Sequence, residues 1–264
     1  MDINEIKKKL ASEEYSFLRT NPHLGKNIIL LTLGGSYAYG TNTDHSDLDI
    51  RGIAVNSKRE ILLGSDFNVC GNLETDTMIR SFKKACRLFK QGNPSIVELL
   101  GCKPEHYFYI SPIGQELLDK KDIFLSKRVI KPFLGFSKEQ KIQAENTLSN
   151  YLVADKDYLK ARASKHMLHS IRALYMLRDI LEEKEIVTFR EEEHDLLMYI
   201  RSGEMIDNNE ITDEFYEMED SLRYGIDMAI QRTDLPEQPD DEAIDNFIAS
   251  VNERIVKGEV YERL

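Results

Sequence analysis

The longest nearly unbroken apolar run in the chain is Ile28-Ile29-Leu30-Leu31-Thr32-Leu33, and Gly34-Gly35 ends it. It is too short for a buried helix and far short of the ~20 residues a bilayer helix needs. Residues 26–33 therefore predict a central strand covered on both faces. A helical turn and a polar loop follow, and residues 47–55 predict the next strand. Upstream, Ile6, Leu10, Tyr15 and Leu18 predict an amphipathic helix over residues 4–17, capped by Asp2 or Asn4 and broken at Asn21-Pro22. Downstream, Ile61 to Leu63 is a short apolar segment, and residues 67–79 predict one strand, or two parted at Gly71. Phe82, Cys86 and Phe89 form the stripe of a helix over residues 80–90 that Gly92-Asn93-Pro94 stops. Short helices are predicted over residues 95–100 and 111–120.

Past Pro132-Phe133-Leu134-Gly135 strand patterns nearly vanish. Long helices are predicted over residues 136–151 and 155–185. A helical stretch over 191–230 is interrupted at Ser202-Gly203, and a final helix covers 242–256. The pattern predicts an α/β (α+β) domain over residues 1–132 and an all-helical domain over 133–264.

Charge divides along the same line. Residues 181–250 hold 22 acidic side chains against 5 basic ones, so the remainder carries about +6 within a total of −11. A mildly basic body with an acidic section leaves a nucleic-acid face open. A 264-residue chain with 41 % hydrophobic and 31 % charged residues can build a core without staples. Cys70, Cys86 and Cys102 are odd in number and too far apart for a metal clip, which predicts free thiols in a reducing cytoplasm. The first ten residues lack a signal-peptide apolar region, and no membrane partner is expected.

The chemistry concentrates between Leu31 and Asn56. On a strand, Asp47 and Asp49 point the same way while Leu48 and Ile50 face the core. Two such carboxylates can share a pair of hard cations, Mg²⁺ or Mn²⁺, as two-metal phosphoryl and nucleotidyl transfer requires. Gly34-Gly35-Ser36 stands at a strand-to-helix junction, where glycine lets backbone amides approach a phosphate and Ser36 can donate its hydroxyl. Either part alone is usually a plain turn or a solvated strand end. About ten residues apart and in this order, they point to a bound nucleoside triphosphate.

The run G-G-S-Y-A-Y-G-T…S-D-L-D-I-R-G resembles the G-S-x₃-G…S-D-x-D signature of the DNA polymerase beta nucleotidyltransferase superfamily. Its details are similar to the YcgL-like, RNA-ligase-associated (RlaP-type) predicted nucleotidyltransferases. Asn93-Pro94 with Glu98-Leu99-Leu100, then Lys165, His169 and Arg172, then Arg201 with Gly203-Glu204, match later segments of that family. The resemblance implies a minimal polymerase-beta-like palm with a mixed sheet. It also implies a third metal-binding carboxylate, by position Asp76 with Glu74 as the rival. Lys165, His169 and Arg172, at i, i+4 and i+7 of one helix, form a face expected to grip phosphates beside Gly34, Gly35 and Ser36. Glu98 reads as structural, with Arg51 as a candidate partner. The implied function is RNA repair or processing, with nucleotide transfer to an RNA end or tRNA. Transfer to a protein hydroxyl, or a non-catalytic nucleotide-binding protein, are the alternatives.

Overall fold

The computed structural model describes residues 1–149 and 155–259. α1 (Ile3–Ala11) opens on a capping box: Asp2 accepts the Asn4 and Glu5 amides, and Glu5 accepts the Asp2 amide. The helix expected over 4–17 is split at Ser12 into α1, a 3₁₀ turn carrying Tyr15, and α2 (Phe17–Thr20). β1 (Ile28–Leu33) is buried along its whole length, as its continuous apolar run requires. α3 (Gly35–Tyr39) follows at once and ends at Gly40 in a left-handed conformation.

The second strand is shorter than expected. β2 (Ile50–Ala54) begins after the two aspartates, because β1 stops at the glycine turn and its last residue, Leu33, pairs with Ile50. Asp47 and Asp49 lie on the segment that leads into it, and Leu48 is buried between them. The segment at 61–63 is the end of α4 (Lys58–Leu63), started by a Ser57/Glu60 capping box. β3 (Val69–Asn72) and β4 (Thr77–Ser81) are two strands, parted at residues 73–76 rather than at Gly71. The turn falls there because Asn72 Oδ1 accepts the Glu74 and Thr75 amides.

α5 (Phe82–Lys90) starts two residues later than expected, since Arg80 and Ser81 end β4, and α6 (Pro94–Val97) gives way to a 3₁₀ turn over Glu98–Leu100. β5 (Tyr107–Ile110) has no counterpart in the sequence pattern and is followed by α7 (Pro112–Asp119). The sheet order is β3-β4-β2-β1-β5, with β2 and β4 parallel and the other pairs antiparallel, a mixed sheet as expected. One face packs Leu31, Leu33, Ile50 and Ile79 on Ile6, Leu10, Tyr15 and Leu18. The other packs Ile29, Leu30, Ile53 and Val55 into the helical half.

α8 (Ile130–Ser149) passes through the anticipated boundary without a break. Pro132 is its third residue, where the missing N–H has no intrahelical partner to lose. The expected helix end at residue 151 lies outside the described residues. α9 (Lys156–Glu183) and α10 (His194–Ser202) follow. A two-residue hairpin, β6 (Ile206–Asp207) and β7 (Glu210–Ile211), fills the interruption at Gly203. α11 (Asp213–Arg232) and α12 (Asp241–Lys257) complete the helical half. Its hydrophobic cluster is continuous with the sheet, running from Ile53 through Ile171 to Phe247 and Val251. The acidic section spends part of its charge on the basic body through Lys90–Asp241 (2.8 Å) and Lys127–Glu237 (2.6 Å). These half-exposed pairs add little each. Among the described residues no helix is long and apolar enough to cross a membrane, and all three cysteines are free thiols.

Candidate active site

The glycine turn and Asp49 are built as one piece. Gly34 N–H donates to the Asp49 carbonyl at 2.9 Å, so this amide closes the turn onto the approach to β2 and is not offered to a phosphate. Gly35 has φ +55°, and no side chain caps the start of α3. A Cβ at Gly35 would stand 2.0 Å from Asp49 Oδ2, and one at Gly34 would stand 2.5 Å from Arg51 Cγ. Gly34 packs closely on the Arg51 stem and Gly35 on the Asp49 carboxylate, and the left-handed backbone at Gly35 adds strain for any other residue, whatever the turn binds. Ser36 is buried in the first turn of α3.

Because β2 and β4 are parallel, the starts of both strands lie at the same end of the sheet. That register brings Asp49, just before β2, to Asp76, just before β4. Arg51 joins them: Nη2 lies 2.6 Å from Asp49 Oδ1 and 3.1 Å from Asp76 Oδ1. Burial first, then the neighbouring Asp76 carboxylate, push the Asp49 carboxyl up to about 6, against the opposing pull of Arg51. Asp76 sits at φ +40° in the β3–β4 turn with an exposed carboxylate. Glu74, the rival, is exposed in the same turn and makes no ion pair among the described residues. Asp47, also exposed, lines a pocket of about 320 Å³ with Asp76, Thr75 and Glu74. Lys9, Glu14 and Tyr15 from the N-terminal layer close its far side. Larger clefts of about 850 and 680 Å³ open beside Lys127 and beside Arg178, away from the glycine turn.

The basic face on α9 is only partly as expected. Lys165 is exposed, and its charge acts on Asp49. His169 is half-buried with Nδ1 unpartnered among the described residues. Burial, followed by the charges of Arg172 and Lys165, holds it well below the usual histidine range, so it stays neutral at pH 7. Arg172 does not face solvent. It is 3 % exposed, bonds Glu98 Oε2 at 3.2 Å, and lies 3.5 Å over the Tyr39 ring. Tyr39 Oη donates to Glu98 at 3.1 Å, so Glu98 pairs with Arg172, and the expected Arg51 partner is taken by the aspartates. The group anchors α3 from beneath.

Arg201 takes the more exposed place. Its Nη2 donates to Ser46 Oγ at 3.3 Å, one residue before Asp47, while Nη1 is buried and unpartnered among the described residues. The segment after α9 straps the back of the turn: Arg190 N–H donates to the Tyr39 carbonyl at 3.1 Å, and Thr188 Oγ1 to the Glu98 carbonyl at 2.6 Å. Sequence reasoning singled out neither this strap nor the bridging role of Arg51. For Arg51, the signal available was a basic residue two positions after Asp49 and therefore on the same face.

The donor set around Asp49 and Asp76 is all oxygen, and both carboxylates already turn toward one shared cation. That chemistry fits a hard divalent ion. Among the described residues no three His, Cys, Asp or Glu side chains are already gathered as a metal cage. A five-stranded mixed sheet with a glycine turn after β1 and paired carboxylates at the starts of the parallel strands β2 and β4 defines a polymerase-beta-like nucleotidyltransferase palm. The chain belongs to the RlaP family, the RNA repair pathway DNA polymerase beta family, whose model matches residues 5–250. Comparison with curated proteins gives no match.

Gly35→Ala tests the close packing. The added methyl must displace the Asp49 carboxylate or the turn, and a shift of about 1 Å at a catalytic group costs on the order of 10²-fold in rate. We expect nucleotidyl transfer to fall by about that factor in single-turnover assays. Full activity would show that the turn and Asp49 are not coupled.

Proposed function

We propose that the protein transfers a nucleotide from a nucleoside triphosphate to a hydroxyl at an RNA end, releasing pyrophosphate. The observation that carries this reading is the meeting of Asp49 and Asp76 at the starts of parallel strands, with Asp49 directly against Gly35. Membership of an RNA repair family supports RNA as the acceptor. Asp47, Asp49 and Asp76 would hold two Mg²⁺ or Mn²⁺ ions, whose charge offsets the charge developing on the phosphates.

The remaining work falls to the chain's own groups. The uncapped amides at the start of α3 and Ser36 receive the triphosphate. Lys165 and Arg201 supply positive charge from the helical side. His169, neutral, contributes a hydrogen bond and no charge. The acceptor hydroxyl oxygen attacks the α-phosphorus and the bond to pyrophosphate breaks. The hydroxyl proton passes to the Asp76 carboxylate.

Each α-labelled triphosphate, offered with RNA ends, DNA ends and protein, tests the acceptor. Label on RNA ends with wild type and none with Asp47→Ala/Asp49→Ala is the expected result. Label on protein alone would replace RNA as the acceptor. No labelling of any acceptor, with triphosphate still bound, would overturn the enzyme reading.

A further inference from the structure

Arg51 holds two carbonyls and two carboxylates with the two amino groups of its guanidinium. Nη1 donates to the carbonyls of Ile50 (3.1 Å) and Asp76, while Nη2 spans Asp49 Oδ1 and Asp76 Oδ1. The side chain is 17 % exposed. Gly34 makes room for its stem, since a Cβ there would meet Arg51 Cγ, Nε and Cδ within 3.4 Å. Each inner carboxylate thus gives one oxygen to a cation that belongs to the protein. A bare divalent ion would have to enter against that positive charge, at a separation where like charges in a half-buried site repel strongly. The guanidinium also lies one side chain's reach from the glycine turn, and its fork matches phosphate as well as carboxylate.

We propose that Arg51 is a resident counter-ion that closes the carboxylate site to bare divalent metal. It changes partner, from Asp49 and Asp76 to phosphate, when a metal–triphosphate complex arrives. This rests on the proposed triphosphate site and adds an order of loading: metal enters with the nucleotide, not before it. Two facing carboxylates are kept together in the empty protein without committing them to whichever cation is abundant. A purely structural tie between the starts of β2 and β4 would use the same contacts but would leave metal affinity unchanged.

Mn²⁺ binding followed by electron paramagnetic resonance separates the two, in wild type, Arg51→Gln and Arg51→Lys. Each is measured with and without an equimolar mixture of the four α,β-methylene triphosphates. Without nucleotide, Arg51→Gln is expected to bind Mn²⁺ at least about tenfold more tightly than wild type, with Arg51→Lys close to wild type. With the analogues present, the difference between wild type and Arg51→Gln should shrink to within about threefold. Equal or weaker Mn²⁺ binding by Arg51→Gln overturns the proposal.

Should Arg51→Gln fail to fold, the Arg51 Nε–H resonance of wild type decides. It is expected to stay in place on adding Mg²⁺ alone and to move on adding Mg²⁺ with the analogues. A full shift with Mg²⁺ alone overturns the proposal. Analogues that bind no variant would sink the nucleotide reading, while the nucleotide-free Mn²⁺ comparison still tests Arg51.

Discussion

Asp49→Ala should lower nucleotidyl transfer by about a thousandfold. Its carboxylate is half-buried, more enclosed than those of Asp47 and Asp76, pressed on Gly35 and facing both Arg51 and Asp76. Charge held in a half-buried, preorganised position acts through a lower dielectric than a surface charge, and removing one such group typically costs 10²–10³ in rate. Under the proposed function Asp49 would also hold a metal ion, and losing it would add to that figure. Single-turnover rates with saturating triphosphate measure the effect, and the thermal midpoint recorded alongside separates lost chemistry from lost fold. Retention of more than about a tenth of the wild-type rate would contradict the role given to Asp49.

The largest effect on stability is expected at Arg172. Arg172→Ala leaves the Glu98 carboxylate buried with only the Tyr39 hydroxyl, and breaking such a buried pair costs about 3–5 kcal/mol. For a chain of this size that corresponds to a fall in Tm on the order of 10 °C. Below the melting transition, triphosphate affinity should change less than in Lys165→Ala, because Arg172 is buried against Tyr39 while Lys165 is exposed with its charge acting on Asp49. The opposite pattern, an unchanged Tm with triphosphate binding lost, would restore Arg172 to the phosphate-gripping role its spacing suggested.

Arg172 also shows what a sequence can and cannot yield. Spacing at i, i+4 and i+7 correctly places Lys165, His169 and Arg172 along one side of α9. Whether that side meets solvent or protein depends on Glu98, 74 residues away. The opening Lys165 stays exposed, and the stripe then dives beneath α3. Arg201 reaches Ser46 across 155 residues, a contact no local pattern encodes.

By contrast, β1 was legible because a strand buried on both faces leaves an unbroken apolar run. The two aspartates were legible because Leu48 between them is buried. Asp76 could be placed only by family resemblance, since its meeting with Asp49 arises from the parallel pairing of β2 and β4. β5 escaped notice because Tyr107-Phe108-Tyr109-Ile110 is half-buried throughout and shows no alternation. The helix α8 hid its start because Pro132, read as a break, is harmless in a first turn.

The central claim is that this site breaks the α–β bond of a triphosphate. Parallel reactions with α-labelled and γ-labelled triphosphate, RNA acceptor and Mg²⁺ test it most directly. Expected are α-label on the RNA and γ-label released as pyrophosphate in equal amounts. Transfer of the γ-label to the acceptor, with the α-label left on free nucleoside diphosphate, would contradict it.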